Sequence, residues 1–206
     1  MADRFWTDAA LEPKRGYRFL VTLGNMPNGA SYYVKSVNKP GIKVTSKEHK
    51  YLGHNFWYPG LVEWQNNPTE IKLIDPVTPD ASAHLSAILQ ASGYTVPNNP
   101  NRVTTISKKA AVDALGGFVV KQINESHGTA GLSGGQAVET WTFHNAFIEE
   151  VSYGELAYDK EDLTEISLKI RWDWATLETL NPVTNQRVIE QLGDVIVDSD
   201  TKVRFK

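Results

Sequence analysis

The segment 164–174 alternates almost perfectly between apolar and polar side chains, and it restricts the fold of this chain more than any other feature. One set consists of Ile166, Leu168, Ile170, Trp172 and Trp174, and the other consists of Glu165, Ser167, Lys169, Arg171 and Asp173. Because successive side chains of a strand point to opposite faces, the pattern predicts a long strand with one buried face and one wet face. Such a strand belongs in an antiparallel sheet whose apolar side covers a core.

Three other stretches also have strand character. Residues 17–23 alternate, and turn residues then lead to a second apolar stretch at 31–37, so the two are predicted to form a hairpin. Residues 69–74 predict a short strand, and the strand signal returns from Val138 onward. The chain is therefore rich in strands that follow one another closely, which is typical of antiparallel sheets.

One helix is predicted over 79–92. Thr78 is expected to cap it, and Pro79 suits the first helical position because no backbone hydrogen bond is lost there. Apolar residues then recur at helical spacing, and Gly93 is a good terminator. Together with the strands, this helix predicts an α+β fold, mainly antiparallel β, with one main flanking helix.

The stretch 42–62 is harder to interpret. Residues 44–52 are predicted as a strand or an extended arm, and the aromatic cluster 54–60 is expected to end in a Pro59-Gly60 turn. The cluster offers a possible sugar platform formed by Phe56, Trp57, Tyr58 and Trp64. The same aromatic residues are equally suited to a core or to an interface with another protein.

The domain organisation is predicted as a single domain over 1–206 without internal repeats. Residues 95–136 are expected to be a long inserted loop, with a short helix or strand over 107–115 and a nearly chargeless glycine-rich stretch at 128–135. Residues 176–206, with short apolar runs at 187–192, 194–197 and 202–205, are expected to extend beyond the main domain.

The residues needed for catalysis are not found in a recognisable arrangement. The chain has no cysteine, and its five histidines do not have the spacing of a metal site. The glycine-rich stretch lacks the Gly-Lys-Ser/Thr ending of a phosphate loop, and the acidic segment lacks the spacing of a calcium loop. No apolar run is long enough to span a bilayer. We therefore expect a protein that is not an enzyme, has no cofactor or metal, and has no membrane-spanning segment.

The charges are distributed unevenly, although the net charge is only −3. The basic stretch 35–50 has one acid and five lysines, which are Lys35, Lys39, Lys43, Lys47 and Lys50. The acidic segment 149–165 has one base and seven acids, which are Glu149, Glu150, Glu155, Asp159, Glu161, Asp162 and Glu165. The two stretches are either separate solvated surfaces, or they meet within one molecule, or they join neighbouring subunits head to tail.

The residues 141–159 and 163–174 carry a resemblance to a known family. An aromatic-flanked strand leads through a turn with Gly154, Glu155, Leu156, Tyr158 and Asp159 to the long alternating strand. This arrangement resembles the closing strands of the tail tube proteins of contractile-tailed bacteriophages. The resemblance covers about residues 12–94 and 138–175 and is a pattern of strands and turns, not a strict motif.

The resemblance implies a β-barrel-like sandwich with a flanking helix. It implies hexameric rings that stack into a hollow tube, a plan shared with the type VI secretion tube, and partners in the tail sheath and baseplate. DNA would pass down the lumen without specific binding, and the protein would assemble in the cytoplasm of a bacterial host and reside in the virion tail. A baseplate tube initiator of the same fold and a carbohydrate- or receptor-binding β-domain remain as alternatives.

Overall fold

The computed structural model describes residues 14–26, 33–95, 105–123, 137–159, 161–180 and 187–190. The strands are β1 (Phe19–Leu23), β2 (Val34–Val37), β3 (Gly41–Tyr51), β4 (His54–Gln65), β5 (Thr69–Ile74), β6 (Phe118–Ile123), β7 (Ala137–His144), β8 (Phe147–Ser152), β9 (Glu165–Arg171), β10 (Trp174–Leu180) and β11 (Arg187–Glu190). The helices are α1 (Ala81–Ala91) and α2 (Lys108–Leu115).

The strands form three sheets. Their orders are β1-β6-β7-β10-β11, β2-β5-β9-β8 and β3-β4. The chain divides into two compact units, one of residues 1–20, 120–140 and 177–206 and the other of residues 21–119 and 141–176. The pairs of the second sheet and of the β3-β4 sheet are antiparallel. The predicted class, α+β with mainly antiparallel strands, is confirmed. Among the described residues, α1 is the predicted main helix, and α2 lies where a short helix or strand was predicted.

The core of the larger unit is built on β9. Ile166, Leu168 and Ile170 are fully buried, as the alternation predicted. The neighbouring strand β5 contributes Ile71 and Leu73 to the same core. Burying a side chain of this size stabilises the fold by roughly 1.5–3 kcal/mol. The alternating pattern of β9 therefore indicates which face of this strand packs against the core of the unit.

The buried face of β9 ends earlier than predicted. Trp172 is buried, and its indole Nε1–H donates to Thr69 Oγ1 at 2.9 Å. Trp174 was expected on the same face but is 46% exposed, because β9 ends at Arg171 and Trp174 begins β10 after a bend at Asp173. A period-two pattern in the sequence does not reveal where the backbone turns.

The helix α1 begins two residues later than its predicted start. Asp80 is the N-cap, and its Oδ1 accepts from the Ala83 N–H at 2.9 Å, so the prediction of Thr78 as cap and Pro79 as first residue was wrong. Asp75 supports the same turn by accepting from the Ala81 N–H at 3.2 Å. Carboxylates satisfy the free N–H groups of a first helical turn and also suit its dipole.

The predicted hairpin between residues 17–23 and 31–37 is not formed. β2 pairs with β5, and β1 lies beside β6. The chain after β1 is held at the end of α2, because the Gly24 N–H donates to Gly117 O and the Asn25 side chain donates to Ala114 O at 2.6 Å. These long-range hydrogen bonds direct the chain after β1 toward α2, so β1 does not form a hairpin with the segment that follows it. Residues 27–32 lie outside the described part.

The segment 95–136 contains regular structure in its described part. Residues 105–123 form α2 and β6, and β6 lies between β1 and β7. In the predicted extension 176–206, β10 pairs with β11 from Leu177↔Glu190 to Leu180↔Arg187. The glycine-rich stretch 128–135 and the apolar runs 194–197 and 202–205 lie outside the described residues. Neither described helix has the length and apolar character that a membrane span requires.

Candidate assembly surfaces

The strands β3 and β4 form a long two-stranded ribbon, which we call the arm (residues 41–65). Its register runs from Gly41↔Gln65 at the base to Tyr51↔His54 at the tip. The tip turn is Leu52-Gly53, and both residues have positive φ, as a two-residue hairpin loop requires. A two-stranded ribbon is marginally stable by itself. Contacts with a further surface would therefore stabilise an arm of this length.

The aromatic cluster lies inside the arm. The prediction of a Pro59-Gly60 turn was wrong, because Pro59 pairs with Ser46 within the ribbon. Gly60 is required for close packing, since a Cβ at this position would lie 2.5 Å from Thr45 Oγ1. The Pro-Gly pair therefore marks an irregularity in a strand, which is the other common use of these residues.

The arm exposes an unusual amount of apolar surface. Its large hydrophobic side chains with 41–79% exposure are Ile42, Val44, Tyr51, Leu52, Phe56, Trp57, Tyr58, Leu61 and Val62. Contiguous exposed apolar surface on a folded chain marks a site of interaction with another protein or with a ligand. The arm is the part of the described chain where such surface is concentrated.

The base of the arm is fixed to the core. The Trp64 ring packs edge-on against Trp172 with ring centroids 5.1 Å apart. The Asn66 side chain donates to Lys39 O at 2.9 Å, and this bond joins the chain just before β3 to the chain just after β4 at the base of the arm. The arm is therefore oriented at its base by the contact of Trp64 with the buried Trp172, while most of its remaining surface is exposed.

The five predicted lysines separate into different environments. Lys43 and Lys47 lie on one face of the arm, and Lys39 precedes β3 at the same four-residue spacing. Lys50 lies on the opposite face, with its Nζ 3.9 Å from Glu48. Lys35 lies on β2 and pairs with Glu165 within the molecule. The basic stretch and the acidic segment thus meet within the molecule at this ion pair.

The acidic segment also separates into two parts. Glu149 accepts from Arg171 at 3.0 and 2.7 Å through both carboxylate oxygens, and Glu150 pairs with Lys169 at 2.6 Å. The remaining predicted acids, which we call the acidic loop, lie in the irregular segment after β8: Glu155, Asp159, Glu161 and Asp162. This loop also exposes the apolar side chains of Leu156, Tyr158 and Leu163. It therefore combines negative charge with apolar surface.

The wet face of β9 is closely ion-paired. The hydrogen bond from Lys35 lowers the pKa of Glu165, and the bond to Glu165 raises the pKa of Lys35. The bond to Glu150 raises the pKa of Lys169 in the same way. Ser167 approaches Glu70 at 3.4 Å. Opposite charges side by side on adjacent strands give this face a balanced surface charge.

Asp173, predicted on that face, lies instead at the turn between β9 and β10. Its Oδ2 accepts from Lys108 at 2.6 Å and from Asn145 at 2.7 Å. Its backbone N–H donates to His144 O at 3.0 Å. The hydrogen bonds from Lys108 and then Asn145 hold the pKa of Asp173 below its usual range. This carboxylate thus joins α2, the β7–β8 turn and the β9–β10 turn.

We expect Asp173→Asn to lower the free energy of unfolding at pH 7 by about 0.5 kcal/mol, the usual size for an exposed pair. A carboxylate whose pKa is depressed by folding contributes stability above its unfolded pKa and loses it as the pH falls through the folded pKa. The difference between variant and parent, measured by urea unfolding, will therefore shrink as the pH falls below the ordinary pKa of an aspartate, about 3.9. Asp159→Asn in the acidic loop serves as the control. A difference that persists in acid would contradict the proposed role of the charge.

Among the described residues, no group of three or more His, Asp or Glu side chains is placed to hold a metal ion. His144, one of the five histidines, stacks on Trp174 with ring centroids 4.9 Å apart and reaches Thr176 at 3.1 Å. The His144 side chain therefore contributes to the packing of β7 against β10. The notable surfaces of the described chain are therefore the arm, the acidic loop and the ion-paired face.

The fold is similar to that of chains in solved structures of contractile injection systems. A chain of the anti-feeding prophage tube-terminating cap matches with a TM-score of 0.54 at 21% identity, over 87% of this chain and 99% of that one. A chain of the sheath–tube complex of the PVC extracellular contractile injection system matches with 0.52 at 19%, over 81% and 92%. A chain of the sixfold-symmetrised anti-feeding prophage baseplate matches with 0.52 at 17%, over 81% and 95%.

The predicted resemblance to tube proteins is thus confirmed for the fold. No protein-family model matches the chain, and no curated protein sequence matches it significantly.

Proposed function

We propose that this chain is a structural subunit that assembles with copies of itself into hexameric rings, which stack into a hollow tube. The observation that carries the proposal is the arm, a ribbon anchored at its base on the buried Trp172, with large apolar side chains exposed along its length. Surface of this kind is stabilised when another chain covers it. A repeating subunit supplies that cover from an identical neighbour.

The four-stranded sheet supports the same proposal. Its outer strands are β2 and β8, and an outer strand presents N–H and C=O groups to a further strand. Ring closure with neighbouring subunits would remove such edges. The balanced, ion-paired face of β9 then suits a lumen wall, because paired charges bind a passing polymer weakly.

The tube is proposed to belong to a contractile tail, with a sheath and a baseplate as further partners. The fold is shared with chains of a sheath–tube complex, a baseplate and a tube-terminating cap. In a phage tail, DNA would pass through the lumen into the host, and the mild net charge of −3 suits passage without adhesion. A baseplate initiator or a cap of the same fold is the second candidate, and it would not polymerise indefinitely alone.

The alternative of a sugar-binding platform is less well supported. In the register of the arm, Trp57 lies opposite Glu48, whereas Phe56 lies opposite His49. Neighbouring strand residues point to opposite faces, so these rings do not share a plane. Trp64, the fourth member of the predicted platform, packs on Trp172. The aromatic residues are therefore better suited to contacts between proteins.

The proposal is tested by negative-stain electron microscopy of the purified protein after concentration and ageing. We expect ring-shaped particles with a central hole and, with time, stacked tubes. Rings that never stack would favour the initiator or the cap. Monomers that persist at every concentration would contradict self-assembly.

We further propose that the basic arm of one subunit meets the acidic loop of the next. Changing Lys39, Lys43 and Lys47 to Glu is expected to lower tube yield by about tenfold or more, because like charges would face each other. Changing Glu155, Asp159 and Asp162 to Lys in the same chain should restore the yield, which sedimentation measures. Unchanged yield in the first variant, or no recovery in the second, would exclude this contact.

A further inference from the structure

The arm contains a β-bulge that determines which side chains share a face. Between the pairs Val44↔Val62 and Ser46↔Pro59, β3 contributes one residue and β4 contributes two. An extra residue on one strand reverses the facing of every residue beyond it on that strand. Without the bulge, Tyr58 would lie on the face of Val62. With it, Trp57 takes that place, and Tyr58 points to the other side.

The bulge therefore divides the exposed apolar surface between two faces. Directly opposed residues of an antiparallel pair share a face, so the register assigns each side chain. Face A carries Ile42, Val44, Trp57, Pro59 and Val62. Face B carries Lys43, Lys47, His49, Phe56 and Tyr58. At the base of the arm Trp64, opposite Ile42, also lies on face A and packs on Trp172. Farther along the arm, Trp57 is 61% exposed and Tyr58 is 58% exposed, so each face of the outer arm keeps an exposed aromatic ring.

The two faces differ in chemistry. Face A is apolar, and its charges near the tip are Glu48 and Lys50, whose side chains lie 3.9 Å apart and balance each other. Face B combines aromatic rings with lysines. The pair Lys43↔Glu63 is balanced, but Lys47 lies opposite Tyr58 and adds positive charge. One flat partner surface cannot complement both faces, because they point in opposite directions.

We infer that the arm is clamped between two different copies of this chain, one on each face. Face B fits the acidic loop of a copy, since that loop combines Glu155, Asp159 and Asp162 with exposed Leu156 and Tyr158. Face A, which is neutral and apolar, fits an uncharged apolar surface of another copy. This inference rests on the proposed function, because only a repeating assembly supplies two identical neighbours on opposite sides of one arm.

The first test uses two adjacent aromatic residues as matched variants. Trp57→Ser and Tyr58→Ser remove rings of nearly equal exposure from the same strand but from opposite faces. Each is expected to lower the yield of sedimentable tube by about tenfold or more, as loss of an aromatic interface contact does. Far-ultraviolet circular dichroism should show both variants folded as the parent. Parental tube yield from either variant would overturn the inference, because that face would then not be an interface.

The second test maps the neighbours directly and uses the absence of cysteine from the chain. Ser46→Cys places a thiol on face A, and Lys47→Cys places one on face B. Each variant carries a short photoreactive cross-linker and is mixed with isotope-labelled parent protein before assembly, so that only contacts between copies give mixed-isotope products. We expect mass spectrometry to identify different peptides for the two positions, with the acidic loop attached to position 47.

The outcomes separate this inference from the proposed function. Rings in which both positions cross-link to the same segment would overturn the two-sided arm and leave the tube subunit intact. Rings in which either position gives no product between copies would also overturn it. A protein that forms no rings would contradict the proposed function itself, and the inference with it.

Discussion

Replacing the outer arm, residues 45–61, with Asn-Gly will abolish rings and tubes and leave a folded monomer. The replacement keeps the pairs from Gly41↔Gln65 to Val44↔Val62 and closes them with a two-residue turn that favours positive φ. It also keeps the anchor of Trp64 on Trp172. Since the removed surface is exposed and pairs within the ribbon, the core loses little. Electron microscopy and analytical ultracentrifugation measure the assembly.

The control for this deletion is the melting temperature of the monomer. We expect a change of at most about 4 °C, which corresponds to roughly 1 kcal/mol for a chain of this size. Tubes formed by the shortened chain would show that the arm is dispensable and would remove the main support for the proposed function. A large fall in melting temperature would show instead that the arm stabilises its own subunit.

Trp172→Ala is expected to destabilise the subunit by about 3–5 kcal/mol, the usual cost of removing a large buried aromatic residue. The Trp172 ring is 1% exposed and packs against Trp64 and Phe143 with ring centroids 5.1 and 5.2 Å apart. Its loss also removes the hydrogen bond to Thr69. Thermal unfolding should show a melting temperature lower by roughly 10 °C or more.

Trp57→Ala is the matched control for Trp172→Ala, because it removes the same side chain from a position that is 61% exposed. We expect its melting temperature to lie within about 2 °C of the parent, as is usual for surface substitutions. Equal decreases in melting temperature for the two variants would mean that the buried ring of Trp172 contributes no more to the stability of the subunit than an exposed ring does. The pair thus separates core stability from assembly, which Trp57→Ala should still impair.

Sequence reasoning located the core strand and the helix because both depend on local periodicity. The buried faces of β9 and α1 follow from the alternation of Ile166, Leu168 and Ile170 and from the helical spacing of Leu85 and Ile88. The cap of α1 was missed because Thr78 and Asp80 are both good capping residues, and the choice depends on the path of the chain into the helix. Local signals overlap at such positions, and tertiary contacts decide between them.

The two complementary charge stretches were visible in the sequence, but their pairing was not. Sequence reasoning could not predict that Lys35 pairs with Glu165 or that Glu149 pairs with Arg171. These contacts follow from the strand order β2-β5-β9-β8, in which residues far apart in the chain become neighbours. The contacts proposed between subunits instead involve Lys39, Lys43 and Lys47 of one copy and the acidic loop of the next.

The class of the fold follows from local patterns, since the alternation over 164–174 and the helical spacing over 79–92 are properties of consecutive residues. Which strands pair depends on contacts between distant residues, so the pairing became known from the tertiary structure. The tertiary structure also decided the two faces of the arm. A single additional residue at Gly60-Leu61 places Tyr58 and Val62 on opposite faces of the arm. Such a bulge depends on the register between β4 and β3, and the residues of β4 alone do not specify that register.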